Sequence, residues 1–287
     1  MTDDSLGDGV AAALGVDVVA ASRVHGGDVA SSWRVDLADG RRVFAKTHPT
    51  APAHFFSTEA AGLRWLGEAD SIPVPAVLAV RDEQPNLLVL EWIDESRRPS
   101  SPAGETQFGR RLAALHQAGS PVFGRQDGRT TGSRGLPNEP CRTWAEFYGT
   151  QRLLPLGRLA RGVLAPTTIA ALERLAGRLD EFGAAAEQPA RLHGDLWAGN
   201  RIVDSVGESW LIDPAAHGGH REFDLAMMRL FGGFGTECFA AYDEVTPLAD
   251  GWRERVPLHQ IAPLVVHAVK FGGGYVAAAT QAIHTCT

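Results

Sequence analysis

The sequence predicts an α+β fold in two lobes: a small antiparallel sheet with one main helix, then a larger, mostly helical lobe. Two patterns predict it. Short alternating runs separated by Gly-rich turns fill the first third, and helical periodicity takes over after Asp94. The length agrees, since 287 residues with 44% hydrophobic and 21% charged side chains suit one large domain or two lobes.

The alternating runs lie at 17–23, 32–37 and 42–46. Gly26-Gly27-Asp28 separates the first pair and Ala38-Asp39-Gly40 the second, where glycine tolerates the positive φ of tight turns. Residues 55–67 have helical spacing, with Phe55, Phe56, Ala60, Leu63 and Leu66 available for one face. Pro73 and Pro75 end that pattern, and 77–80 and 87–92 read as two further strands. This places an N-terminal lobe at 1–93, a hinge near 91–96, and a C-terminal lobe at 94–287, with a ligand cleft expected at the junction. In the second lobe 107–117, 144–153 and 167–182 read as helices. Residues 119–142, rich in Gly, Pro, Ser, Asn and Arg, read as a long surface loop. Two apolar runs, 201–203 and 209–212, flank a turn at 204–207, and helices dominate to the C-terminus.

Charge and cysteine usage narrow the function classes. A formal net charge of −7 and a pI near 5.8 argue against nucleic acid or an anionic membrane surface as the main partner. Cys141, Cys238 and Cys286 are widely spaced and odd in number, so neither a disulfide framework nor a zinc site is expected. The acidic start MTDDSLGDGV lacks the basic and apolar regions of a signal peptide. No run approaches about 18 uninterrupted apolar residues. The expectation is a soluble cytoplasmic protein with reduced thiols.

The densest chemical signal is Arg191-Leu192-His193-Gly194-Asp195-Leu196-Trp197-Ala198-Gly199-Asn200, followed by Leu211-Ile212-Asp213-Pro214. Phosphoryl transfer to a hydroxyl needs a carboxylate at the acceptor and hard oxygen ligands holding Mg²⁺ against the ATP phosphates. Asp195 and Asn200 have the spacing of a kinase catalytic loop, so Asp195 is the candidate base and Asn200 a candidate metal ligand. Asp213 ends an apolar strand, where a second metal ligand belongs. Either motif alone reads better as turn punctuation; both together, in this order and with a hairpin between them, favour chemistry. His193 reads as a structural residue that ties down the loop backbone.

Upstream, Val43-Phe44-Ala45-Lys46 suits a strand presenting a nucleotide-binding lysine, and Glu59 on the next helix is a candidate ion-pair partner. Helix phase alone does not exclude Glu68. Gly26 and Gly27 occupy the place of a phosphate-covering loop without a full GxGxxG. Glu91, Trp92 and Ile93 suit a hinge read through main-chain groups by adenine.

Together these segments resemble the fructosamine kinase (ketosamine 3-kinase) family, a branch of the protein-kinase-like fold that also holds aminoglycoside and choline kinases. The resemblance rests on the 193–200 segment with Trp197 after His-Gly-Asp-Leu, and on Asp213-Pro214-Ala215 with Arg221-Glu222-Phe223-Asp224-Leu225-Ala226-Met227. Leu230-Phe231-Gly232-Gly233-Phe234, the 251–258 segment and Phe271-Gly272-Gly273-Gly274-Tyr275 extend it to about residue 279. It implies MgATP-dependent phosphorylation of the sugar 3-hydroxyl of ketosamines, small or carried on a glycated protein lysine, an activity that reverses glycation. It also implies a buttressing role for Asp224. Trp197 is then either an apolar wall for the sugar or a core aromatic. An aminoglycoside or other small-alcohol kinase and a non-catalytic ATP-binding pseudokinase are the alternatives. Trp197 and the Gly-rich segment weigh against the first, and retention of Lys46, Asp195, Asn200 and Asp213 against the second.

Overall fold

The computed structural model describes residues 3–24, 30–132 and 134–287. The chain divides into two compact units, Met1–Pro99 with Ile202–Pro214, and Ser100–Arg201 with Ala215–Thr287.

Five strands build the first unit: β1 (Val18–Val24), β2 (Ser31–Leu37), β3 (Arg42–Thr47), β4 (Val77–Arg81) and β5 (Leu87–Glu91). They form an antiparallel sheet in the order β1-β2-β3-β5-β4. Strand alternation sends side chains to opposite faces, and both faces here are covered. Trp33, Val35, Leu37, Val43, Ala45, Leu87 and Val89 face a helix α1 (Asp3–Leu14), which buries Leu6 and Val10 among them. The intervening Leu88 and Leu90 pack on Phe56, Ala60 and Leu63 of α2 (Phe55–Gly67). Helix α1 goes beyond the sequence reading, which has a single helix on the sheet. Its apolar residues are few, and the sheet face supplies the burial that makes it stable.

The segment 202–214 also departs from the linear reading, which gives it to the second lobe. It carries most of a hairpin of β7 (Arg201–Val203) and β8 (Ser209–Leu211). Backbone hydrogen bonds tie it to the first unit: Ser96 N–H donates to the Val203 carbonyl at 2.7 Å, and Leu211 N–H to Pro73 at 3.0 Å.

The second unit is helical. Helix α3 (Pro102–Gln117) starts with Ser101 accepting from Gly104 N–H and with Pro102 at its first position, a strong start signal. Helices α4 (Trp144–Phe147) and α5 (Leu154–Leu159) flank a π-helical stretch, Tyr148–Leu153. Helix α6 (Pro166–Ala176) stops at Gly177, short of the expected 182, and a 3₁₀ turn follows at Leu179–Glu181. A short sheet pairs β6 (Ala190–Leu192) with β9 (His217–Gly219). Helices α7 (Glu222–Phe231), α8 (Thr236–Val245), α9 (Trp252–Phe271) and α10 (Gly274–Thr285) complete the unit. None of the described helices is long and apolar enough to cross a membrane.

Residues 119–142 are less superficial than their composition suggests, for Phe123, Thr131, Asn138 and Cys141 are buried. The polar backbone this brings inside must be paired. Gly124 and Gly218 exchange two backbone hydrogen bonds of 2.8 Å, and Arg125 donates to the Ala216 carbonyl. Arg152, from the π-helical stretch, donates to the Pro137 carbonyl and to Asn138 Oδ1, both at 2.6 Å.

Several imidazoles are buried in this unit. Burial, reinforced by the Arg152 charge, pushes the His217 pKa down to about 3; burial and His259 push His220 down to about 4. Both rings are therefore neutral when folded, while the unfolded chain takes up their protons below about pH 6.5. Stability from this source is present above that pH and is lost as pH falls towards 4. Glu222, which burial would raise but the bonded Arg255 guanidinium and the neighbouring His259 ring hold down to about 2, adds a loss only as pH falls from the ordinary carboxylate range towards 2. The melting temperature should thus fall on acidification from pH 7 to pH 5, before carboxylates titrate. A flat profile there in thermal unfolding would show that these rings are charged in the folded state.

Candidate active site

Lys46 lies opposite Leu88 of β5 and Ser32 of β2, in the two central pairings of β3. It is only 5% exposed, a burial that an ammonium tolerates only when paired. Two carboxylates meet it. Nζ donates to Glu59 Oε1 at 2.8 Å and also to Asp213 Oδ1. Burial by itself lowers the Lys46 pKa, but the charges of Glu59 and Asp213 outweigh it and hold the ammonium above its ordinary value. Burial, with Asp213 nearby, pushes the Glu59 carboxyl up against the pull of Lys46. Glu68 sits at the C-terminal end of α2, nine residues and so about 13 Å further along the axis. Geometry thus pairs Lys46 with Glu59.

Asp213 was expected as a metal ligand, and its contact with Lys46 was not. It follows β8 with φ 53°, in the left-handed region that few residues other than glycine adopt. Such backbone gathers at functional sites. A positive φ is invisible in sequence, although Asp is among the residues that tolerate it.

Of the expected hinge residues, Glu91 ends β5. Its N–H donates to the Ala76 carbonyl at 2.9 Å, and its side chain turns back so that Oε2 accepts from Ala76 N–H at 3.1 Å. Trp92 donates from Nε1 to Asp94 and lies under the Arg42 guanidinium. Ile93 is half-buried. Gly26 and Gly27 lie outside the described residues.

In the second unit the loop after β6 hangs from Asp224 on α7. This fully buried carboxylate accepts from His193 N–H at 2.8 Å and from Gly194 N–H at 2.9 Å. Behind it His116 Nε2 donates to Asp224 at 3.3 Å, leaving Nδ1 to accept from the Tyr242 hydroxyl at 2.8 Å. Burial pushes the Asp224 pKa up, but the hydrogen bonds from His116 and the Gly194 N–H override it and hold the carboxyl below its usual range. Gly194 has φ 79°, and a Cβ there would fall 2.3 Å from the Ala215 carbonyl oxygen. Only glycine fits this turn.

The loop brings Asp195 and Asn200 together. Asn200 Nδ2 donates to the Asp195 carbonyl at 2.8 Å and to its carboxylate at 3.2 Å. Both partners are acceptors, so the amide orientation is set and Oδ1 remains as a hard oxygen donor. His193 Nδ1 accepts from Asp195 N–H at 3.3 Å. Trp197, by contrast, is 41% exposed. Its indole lies over Gly199, where a Cβ would come within 2.2 Å of the ring, and meets the Phe231 ring edge-on at 6.3 Å. It is not a core aromatic.

Sequence reasoning missed three buried polar groups here. Arg201, at the start of β7, pairs with Glu105 of α3 at 2.7 Å, and Glu105 also accepts from Gly235 N–H. His116 and Tyr242 brace Asp224 from two distant helices. His220, Glu222 and His259 converge closely enough to suggest a cation site. Yet both Glu222 oxygens take the Arg255 guanidinium at 2.6 and 2.9 Å. Both His220 nitrogens are engaged as well, with the Ala184 carbonyl and the Glu222 N–H. The group is an ion-pair centre. No motif spacing marks any of the three, because their partners are set by tertiary packing.

Lys46, Glu59 and Asp213 therefore meet in the first unit, and Asp195 and Asn200 in the second. A compact cation between two carboxylates can exchange partners for phosphate oxygens. A carboxylate clamped by an amide can accept a proton.

The family profile described as fructosamine kinase matches residues 10–287. A probable ketoamine kinase of Synechocystis sp. is 34% identical over 256 residues, which are 87% of this chain and 85% of that protein. Among solved structures, a candidate fructosamine-3-kinase from Thermobifida fusca matches with a TM-score of 0.89 and 41% identity, covering 99% of this chain and 98% of that one. The choline kinase of Streptococcus pneumoniae, 14% identical, matches with a TM-score of 0.65 over 99% and 98% of the two chains, a likeness of fold.

Removing the buried cation should leave two carboxylates facing each other. Lys46→Met is expected to lower unfolding stability by about 3 kcal/mol in denaturant titration, the scale for breaking a buried ion pair. Lys46→Met combined with Glu59→Leu should recover most of that loss. If the double variant is less stable than the single one, the two residues are not coupled as the geometry states.

Proposed function

The chain belongs to the fructosamine kinase family and is an ATP-dependent phosphotransferase of the protein-kinase-like fold, and from that premise we propose that it phosphorylates the sugar 3-hydroxyl of ketosamines. These adducts form when reducing sugars glycate amines, and 3-phosphorylation destabilises them, so the activity would recover the amine. The observation that carries the reading is the Asp195–Asn200 clamp beside the half-exposed Trp197.

In this reading Asp195 takes the proton of the 3-hydroxyl as its oxygen bonds to the γ-phosphorus, and the bond to the β,γ-bridging oxygen breaks. Lys46, held by Glu59, positions the α- and β-phosphates. Main-chain groups at Glu91 and Ile93 receive the adenine. The donor set suits Mg²⁺, with the Asn200 amide oxygen left over by its own hydrogen bonding and the Asp213 carboxylate as hard ligands. When bound, the ion neutralises charge on the transferring phosphoryl group. Trp197 presents an indole face to sugar C–H groups and so holds the acceptor in place.

Two substitutions test this. Asp195→Asn should cut turnover at least about 10²-fold while leaving ATP binding largely intact; near-normal turnover in the folded variant would sink the assignment. Trp197→Ala should lower kcat/KM for the ketosamine at least about tenfold without changing KM for ATP. Because the side chain is half exposed, its melting temperature should barely move. A large fall in melting temperature with unchanged ketosamine kinetics would instead make Trp197 a packing residue.

A further inference from the structure

Trp197 is the first of five aromatic side chains in a connected series within the second unit. Its ring meets Phe231, the last residue of α7; Phe231 lies 5.0 Å from the His267 ring on α9. His267 in turn lies 5.4 Å from Phe271, one turn further along α9, and 4.9 Å from Tyr275 on α10. Gly272 and Gly273, at φ 65° and 56°, turn the chain between the two helices so that Tyr275 returns to His267. The series is open to solvent, since Phe271 is 52% exposed, Trp197 is nearly as open, and the other three are partly exposed. Single exposed apolar residues are ordinary, but a linked set marks a binding surface.

One polar atom lies within it. His267 Nδ1 is 2.8 Å from the Pro263 carbonyl, one turn back on the same helix. A carbonyl only accepts, so Nδ1 carries the hydrogen, and in the neutral ring Nε2 is a bare acceptor with no hydrogen-bond partner among the described residues.

We infer that this strip receives the amine side of the ketosamine, with His267 Nε2 accepting an N–H of the secondary ammonium and the rings packing on the amine substituent. The inference rests on the function proposed above and extends it from the sugar to the other half of the substrate. The chemistry fits. A ketosamine nitrogen sits on C1, two carbons from the 3-hydroxyl, and is largely protonated at neutral pH. Aromatic faces attract such a cation and its adjacent CH₂ groups, and an acceptor satisfies its N–H. The Lys270 ammonium already lies 4.8 Å from the Phe271 ring centroid. Phe271 is therefore assigned to the hydrocarbon substituent and His267, with Phe231 and Tyr275, to the nitrogen.

The test is steady-state kinetics of the full chain on three acceptors sharing one sugar: free fructose, its methylamine adduct and its phenethylamine adduct. His267→Leu should lower kcat/KM at least about tenfold for both adducts and leave any activity on fructose unchanged, the scale of one hydrogen bond to a charged group. His267→Gln, which keeps an acceptor, should restore most of it. Phe271→Ser, at an exposed position where folding is not at risk, should reduce kcat/KM for the phenethylamine adduct several-fold and spare the methylamine adduct. If the unaltered protein phosphorylates the adducts and these variants shift all three acceptors equally, or none, the strip is structural and the function stands without it. If the unaltered protein phosphorylates neither adduct, the function reading fails and takes this inference with it.

Discussion

Asp224 is fully buried, with its two oxygens accepting from consecutive backbone N–H groups of His193 and Gly194 and its rear edge braced by His116 and Tyr242. A carboxylate placed there without such donors would neutralise itself or unfold its surroundings. With them, it converts the turn after β6 into a rigid shelf. Everything that follows in the loop inherits that rigidity: the glycine that must be at 194, the amide of Asn200 folded back on Asp195, and the indole of Trp197 lying over Gly199. The negative charge is held as an anion by its partners, and it spends its hydrogen-bonding capacity on the backbone.

The same constraint organises the other buried charges. Lys46 is neutralised by Glu59 and Asp213, Arg201 by Glu105, and Arg255 by Glu222. Except for Lys46 with Glu59, 13 residues apart, each pair links segments distant in sequence. Arg152 is the instructive contrast. It is buried and has no acidic partner among the described residues; its guanidinium donates to carbonyl and amide oxygens, stacks on Phe147 at 4.5 Å, and is pushed down to about 10 by burial. Its worth to the fold is in closing the 119–142 segment, whose backbone would otherwise carry unpaired groups into the interior.

The difference between the ion centres is what they have left to give. Glu222 has both oxygens on Arg255, and Asp224 has both on backbone N–H groups, so neither can meet a ligand. Asn200 keeps Oδ1, and the Lys46 group keeps a partly exposed carboxylate at Asp213. Spare valence, more than charge or burial, separates candidate chemistry from scaffolding in this molecule.

Strand alternation, turn chemistry and the spacing from Asp195 to Asn200 are local properties, so the sheet, α2 and the loop motifs were legible from residue order. So was the buttress at Asp224, through resemblance. Local patterns also misled: periodicity carried α6 past Gly177, and the few apolar positions of α1 gave no sign that a sheet face awaited them. Pairings between distant segments left no trace in spacing. Lys46 could be matched to a helix but not to Asp213, which lies 167 residues away and takes a left-handed backbone. Residue order alone set which residue types were on hand for phosphoryl chemistry and how they follow one another along the chain. Which of them kept a spare donor or acceptor, and that Trp197 stands half in solvent, was settled by packing, because satisfaction and exposure depend on every neighbour that folding brings in.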